Sequence, residues 1–506
     1  MTYTINLVDL SDNLVLYSLS QAYFTSSFSS FLTLRPSLLF PLKLIHQLSA
    51  TELAQAIRSK QIRATEAVAA CFAQIEQHND RLKAMITTCR DRAQAEAIAA
   101  DIAIDRGESV GILHGVPFTA KDLTLTAGVR TTFGSVLYQD YVPQHDELCI
   151  ARMRSQGAIL IGKTNTPEFG LGAHCTNRLY GPTANPYDPS RSSGGSSGGA
   201  AVAVSTGMCH LAQGTDMGGS VRTPASFCGV VGLRPAAGRI PRRRRQLLWD
   251  YLDTDGILVR TVEDAALMLA VVAGEDWRDP LSVGSPTWEI PEFSTQCDRL
   301  RIGFSPNLGV ATIDSEVEAI FRQALSQIAP FCQDIQEMHP DCSMAQSAFE
   351  TIRAATLRHK QKQHYEKHRD LLAETVRWNI ERGIDISAAA LLQAESDRDR
   401  LYLNFIKFFE KYDILATPTT SVLPFLHTQA EILEINRTPL RNIIDYLKIT
   451  YTISLTSLPA ISIPCGWTTS GLPIGIQLIG KPRNETTLLK FAYFLQEVLS
   501  FRHRSM

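Results

Sequence analysis

The sequence predicts an α/β fold: a single large domain whose mixed central β-sheet is covered by helices on both faces. Three observations lead there. Apolar runs of strand length alternate with segments of helical periodicity along most of the 506 residues, the pattern of a sheet wrapped by helices. The strand-like runs, among them AILIG, DILATPT and LPIGIQLIG, are mostly apolar, as buried strands are. No repeat and no linker-like stretch divides the chain after residue 46. Residues 46–506 therefore read as one domain, and residues 1–45 as a poorly ordered N-terminal extension.

The elements follow in order. Ser49-Ala50-Thr51-Glu52 is a capping box, opening a helix through about Arg58. Apolar positions at Ala67, Cys71 and Ile75 predict a helix over 64–78. LKAMITT is a strand, and residues 91–105 are a third helix. GILHGVPFTAKDLT is a turn leading into a short apolar strand with Lys121 at its end. Residues 146–162 form a helix and then the strand AILIG. Residues 169–195, rich in Gly, Asn, Pro and Ser, are a long loop of the kind that carries function. AAVAVSTG is a small-residue helix beneath it, and LAQGTDM a strand running into Gly218-Gly219-Ser220. Thr261 and Asp264 start an apolar helix over 261–273. The second half offers a strand at 301–306, helices at 314–329 and about 345–385, and a strand at 413–419. Two apolar strands and a closing helix over 485–499 complete it.

Composition excludes several functions. A net charge of −2 gives no electrostatic basis for nucleic-acid binding. No stretch of 18 uninterrupted apolar residues suggests a membrane span. The 10 cysteines show no CxxC pair, and there is no HExxH, so neither metal nor cofactor is expected. Scattered cysteines read as reduced thiols of a cytoplasmic protein. The serine-broken apolar residues of 1–45 resemble a transit segment or an interfacial anchor, but lack the compact run of a secretory signal.

Three residues draw attention as chemistry. Ser220 follows two glycines at a strand end, where consecutive N–H groups from Met217 to Ser220 can converge on one oxygen. The bland alternative is a strand-to-helix turn with a capping serine. Ser196, in GGSSGG, reads by itself as a flexible linker or a weak anion nest; the lysine of a P-loop is absent. Neither serine has a histidine nearby, so a nucleophile here needs another base. Lys121 follows the uncharged run VPFTA. Buried there, its amine would lose solvation for the cation and could serve as that base; most lysines are instead solvated surface residues.

GGSSGGAA, GTDMGGSVRTPASFCGVVGLRP and GVPFTAKDL together resemble the amidase signature family of serine hydrolases, and the likeness runs from about residue 46 to the C-terminus. It implies an amidohydrolase acting on linear amides through an acyl-enzyme. Ser220 would be the nucleophile, Ser196 the bridging serine preceded by a cis peptide from Gly195, and Lys121 the base. The N–H groups of Met217, Gly218, Gly219 and Ser220 would form the oxyanion hole. Ser197, Thr215, Asp216 and Arg222 would support it, with Asp216 and Arg222 a buried pair. The implied partner is a small-molecule amide, with a homodimer a compatible assembly.

Two departures stand out. GRIPRRRRQLLWDYLDTDGILVRT replaces the family's usual Gly-Pro-Met stretch, and its run Arg242–Arg245 reads as a solvated loop. The tyrosine-rich segment of the family's glutamyl-tRNA amidotransferase members is missing, which favours a stand-alone amidase over an ammonia-supplying component of a complex. His174, Asn177 and Tyr180 are candidates to face the substrate, with structural roles equally open.

Overall fold

Among the described residues, eleven strands form one sheet, and its strand order explains how residues far apart in sequence reach one edge. The computed structural model describes residues 44–243, 246–295, 300–429 and 432–501. The extension over 1–43 and Arg244 and Arg245 of the arginine run lie outside the described residues. The strands are β1 (Met85–Thr88), β2 (Pro117–Lys121), β3 (Ile159–Thr164), β4 (Leu211–Asp216), β5 (Val231–Arg234) and β6 (Thr254–Val259). They continue as β7 (Arg301–Phe304), β8 (Asp334–Glu337), β9 (Ile414–Pro418), β10 (Glu434–Ile435), β11 (Thr438–Pro439), β12 (Ala460–Trp467) and β13 (Pro473–Gly480). The large sheet runs β1-β3-β2-β4-β6-β5-β12-β13-β9-β7-β8, and β10 and β11 pair separately. It is mixed: β2 runs parallel to β3 and β4, whereas β4 and β5 are both antiparallel to β6.

Helices cover both faces. Along β4 and β6, Leu211 and Ile257 enter one core cluster, while Ala212 and Leu258 enter another, as the two-residue alternation of a strand requires. The first cluster is closed by Val262–Val272, Ser315–Ile328 and Glu485–Leu499; the second by Ala64–Leu82, Arg90–Asp105 and Gly198–Ser205. Every residue of Gly198–Ser205 is buried. The helix must be small because a Cβ on Gly199 would lie 2.4 Å from Asn165 N and 2.7 Å from Ala84 O.

Local signals set most boundaries. In the Ser49 capping box, Glu52 N donates to Ser49 Oγ and Ser49 N donates to Glu52. Thr261 Oγ1 likewise accepts from Asp264 N at 3.2 Å. Several stretches differ from expectation, among them the strand Asp334–Glu337 and the helix Lys448–Leu455, which are additions, and two helical regions. Residues 345–385 are not one helix but Ala345–His368 and Glu374–Glu381, joined through a short 3-10 turn. The chain folds back so that Leu372, Val376 and Ile380 bury against Leu357, a contact no straight helix provides. The helix Ala388–Lys411 is an addition to the expected elements, although Ala394, Leu401, Phe405 and Phe408 form its buried stripe. Among the described residues, no helix is long and apolar enough to cross a membrane.

Candidate active site

Strands β2 and β4 are parallel neighbours, with Ala120 opposite Gln213, so their C-terminal ends reach the same sheet edge. This brings Lys121 beside Thr215 and Asp216. The turn before Gly198–Ser205 brings Ser196 and Ser197 over that edge. The Gly195–Ser196 peptide is cis. Ser197 N donates to Ser220 O at 3.0 Å, which ties the two glycine-rich turns together.

Lys121 is fully buried. Its Nζ lies 2.7 Å from Ser196 Oγ, 2.9 Å from Ser197 Oγ and 3.0 Å from Thr215 Oγ1. Burial, without a carboxylate in contact, pulls its pKa from 10.5 down to about 7. The amine is thus poised between its charged and neutral forms near neutral pH. Ser196 is buried too, whereas Ser220 is partly open to solvent.

The Ser220 turn is held by a buried charge cluster. Asp216 Oδ1 accepts from Gly219 N at 2.8 Å, and Oδ2 accepts from Val221 N at 3.1 Å. Arg222 grips the same carboxylate through Nε at 3.1 Å and Nη2 at 2.9 Å. Burial opposes the charge on Asp216, but Arg222 and then Arg234 outweigh it and hold the carboxyl well below its usual range. Arg222 extends the network to Thr450 O, Gln477 Oε1 and Ser454 Oγ. The Asp216–Arg222 pair is legible in the sequence; its third member, Arg234, escapes that reading although it stands inside the GLRP motif.

One finding narrows the expected set of oxyanion donors. The N–H of Gly219 is taken by Asp216, while those of Met217, Gly218 and Ser220 make no hydrogen bond among the described residues. Gly219 serves shape instead. Its φ is +119°, and a Cβ there would lie 2.4 Å from Thr450 Oγ1. Thr450 in turn donates to Gly218 O at 2.7 Å.

Ser220 lies where two cavities meet. One, of about 400 Å³, is lined by Gly218, Gly219, Phe349, Arg353, Phe425 and Tyr446. The other, of about 330 Å³, is lined by Ser196, Thr215, Leu123, Phe133, Phe169 and Leu357. Gly170, Leu171, Met217 and Ser220 line both.

The remaining expectations divide. His174 lines the first cavity, with its Nδ1 2.9 Å from Ser192 Oγ, and burial lowers its pKa to about 4. Asn177 is structural: its side chain accepts from Leu179 N and Tyr180 N and donates to Thr166 O. Tyr180 lines neither cavity. Arg242 corrects the reading of the arginine run as a solvated loop. Its side chain is largely buried and pairs with Asp253 at 2.6 Å, because the carboxylates of Asp253 and Asp255 converge on it. The GILV segment of the departure lies within β6, the antiparallel neighbour of β4.

Residues 66–489 match the family described as Amidase. The chain is 35% identical, over 91% of its length and 98% of the relative, to the A subunit of a glutamyl-tRNA(Gln) amidotransferase from Moorella thermoacetica. It is also 35% identical to an acylamidase of Rhodococcus erythropolis, over 88% of its length and 94% of the relative. A bacterial aryl acylamidase superposes with a TM-score of 0.82 at 27% identity, covering 90% of this chain and 96% of that one. The chain therefore belongs to the amidase signature family. It is an amidohydrolase, acting on carbon–nitrogen bonds.

Proposed function

We propose a stand-alone amidase that hydrolyses a small-molecule amide through a Ser220–Ser196–Lys121 triad. The observation that carries this is the buried Lys121 amine, with a pKa of about 7, 2.7 Å from Ser196 Oγ. When neutral, it donates two N–H groups to Ser197 and Thr215 and turns its lone pair to the Ser196 hydroxyl. Ser196 passes its hydroxyl proton to Lys121 Nζ and takes that of Ser220 as Ser220 Oγ attacks the carbonyl carbon. The N–H groups of Met217, Gly218 and Ser220 stabilise the oxyanion. The proton returns through Ser196 to the nitrogen, the amine departs, and water hydrolyses the ester on Ser220. Ser197, Thr215, Asp216 and Arg222 position these groups.

The reading places the protein in the cytoplasm, consistent with nine free cysteines among the described residues. Homodimer formation is compatible with it and is measured by light scattering. The test of the triad is a fluorophosphonate probe together with an amide panel. The wild type should be labelled and active, and Ser220→Ala neither. Retention of full activity in Ser220→Ala would overturn the assignment.

A second reading, an amidotransferase component that releases ammonia from glutamine for a tRNA-bound partner, is favoured by the likeness to amidotransferase A subunits and by one feature of the site. Arg353 lines the first cavity bonded to Asn379 Oδ1, and among the described residues no carboxylate is in ion-pair contact with it; the nearby Glu350 pairs with Arg382 instead. Burial lowers its pKa only to about 10, so it stays charged and would receive a carboxylate such as that of glutamine. Glutaminase activity that appears only with a co-purifying protein would establish this reading.

A further inference from the structure

We propose that the second cavity is the amine side of the site, and that it takes an uncharged aryl or alkyl group on the departing nitrogen. The substrate is then a secondary amide rather than a primary one. This rests on the triad reading above and adds which half of the substrate lies where.

The assignment of sides follows from proton transfer. The bond that breaks joins the carbonyl carbon to nitrogen; the bond that forms joins that carbon to Ser220 Oγ. The nitrogen leaves as an amine only by gaining the proton that Ser220 lost. Ser196 hands it over, so the nitrogen must sit within reach of Ser196 Oγ. Ser196 and Thr215 line the second cavity and not the first. Of the three free N–H donors, Met217 and Ser220 line both cavities, and Gly218 lines the first and not the second. The carbonyl oxygen and the acyl chain therefore lie toward the first cavity, and the nitrogen substituent toward the second. Water that hydrolyses the acyl-enzyme takes the place the amine vacates.

The chemistry of the second cavity then selects the amine. Ammonia needs no cavity of about 330 Å³. Leu123, Leu125, Phe133, Phe169 and Leu357 present apolar surface to it. Its two cations are paired: Arg242 with Asp253 at 2.6 Å, and Lys360 with Asp250 at 2.6 Å. Glu147 Oε1 accepts from Leu148 N and Arg243 N. The wall carries two cations, Arg242 and Lys360, against two carboxylates, Glu147 and Asp253, so a charged amine meets no net counter-charge among the described residues, whereas an apolar ring gains by burial.

The test compares butyramide with N-benzylbutyramide, whose leaving amines have similar basicity, so that preference reports on binding and positioning. Wild type should favour the benzyl amide in kcat/KM by about 10-fold or more. Leu125→Trp fills the cavity and should reduce that ratio by about 10-fold or more. Phe133→Ala enlarges it and should raise the ratio of naphthylmethyl to benzyl amide. Fluorophosphonate titration of each variant counts intact sites, so misfolding cannot mimic either shift. A wild type that prefers butyramide, or a ratio unmoved by Leu125→Trp, would overturn the proposal. Failure of the triad reading looks different: activity that survives Ser220→Ala on both amides.

Discussion

Asp216 accepts the N–H of Gly219 at 2.8 Å, which shapes the turn that presents Ser220. The same carboxylate is gripped by Arg222 and Arg234, all three fully buried. The turn thus rests on a charge cluster rather than on apolar packing.

Asp216→Asn should therefore destabilise strongly, because it strands two buried guanidinium groups. Loss of a partner from such a cluster costs about 3–5 kcal/mol, readable by urea unfolding. The pH dependence has a definite sign. The carboxyl is held below its unfolded value of 3.8, so its contribution is complete above that pH and is lost as pH falls below it. The variant should lack this acid-side loss.

With Lys121 as the proposed base, its amine sets the pH profile of activity. The wild-type kcat/KM should rise with pH and level off above about 7, as the amine becomes neutral. In Lys121→Ala, hydroxide must replace the amine, so activity should keep rising with pH. The loss relative to wild type should therefore be greatest at and below neutrality, of about 100-fold or more, and should shrink in alkali. A flat profile in the variant would contradict the role of base.

The same lysine lowers stability at neutral pH. Its folded pKa of about 7 lies below the unfolded 10.5. Between those values the unfolded chain holds the extra proton, so stability rises with pH across that window. Comparing thermal unfolding of wild type and Lys121→Met should show wild type gaining relative to the variant from pH 7 to 10.5.

Gly219→Ala should cripple the site. The added Cβ meets Thr450 at 2.4 Å from Oγ1, on a backbone with φ of +119°. Strain of this kind costs about 1–3 kcal/mol. Displacing the adjacent N–H groups of Gly218 and Ser220 should cost about 100-fold in kcat. Steady-state kinetics with a matched melting curve checks both.

Arg353→Met separates the two functional readings. If the acyl half carries a carboxylate, kcat/KM should fall about 10- to 100-fold on such amides. Neutral amides of equal length should change little. A variant that treats both alike would assign Arg353 to structure.

Contiguous residues are legible. Lys121, Ser196, Ser220 and their supports lie in three short motifs whose glycines and flanking apolar runs specify strand, turn and helix locally. The capping box at Ser49 and the strand pair β12–β13 are readable for the same reason. The helix Ala388–Lys411 is equally periodic, so its absence from the expected elements is not a limit of the sequence.

Other features depend on distant partners. Nothing near Arg234 or Thr450 in sequence says that they hold the Asp216–Gly219 turn, and nothing near Arg242 says that Asp253 and Asp255 bury its charge. Leu357 and Leu372 meet only because the chain reverses between them.

The sequence by itself determined which groups are candidates for the chemistry: a lysine, two serines and a glycine-rich turn. Only the tertiary structure decided their state. It buries Lys121 so that its pKa falls, gives the N–H of Gly219 to Asp216, and opens two cavities that meet at Ser220. Desolvation, hydrogen-bond competition and cavity shape are set by neighbours brought together across the sheet, and those neighbours have no fixed spacing along the chain.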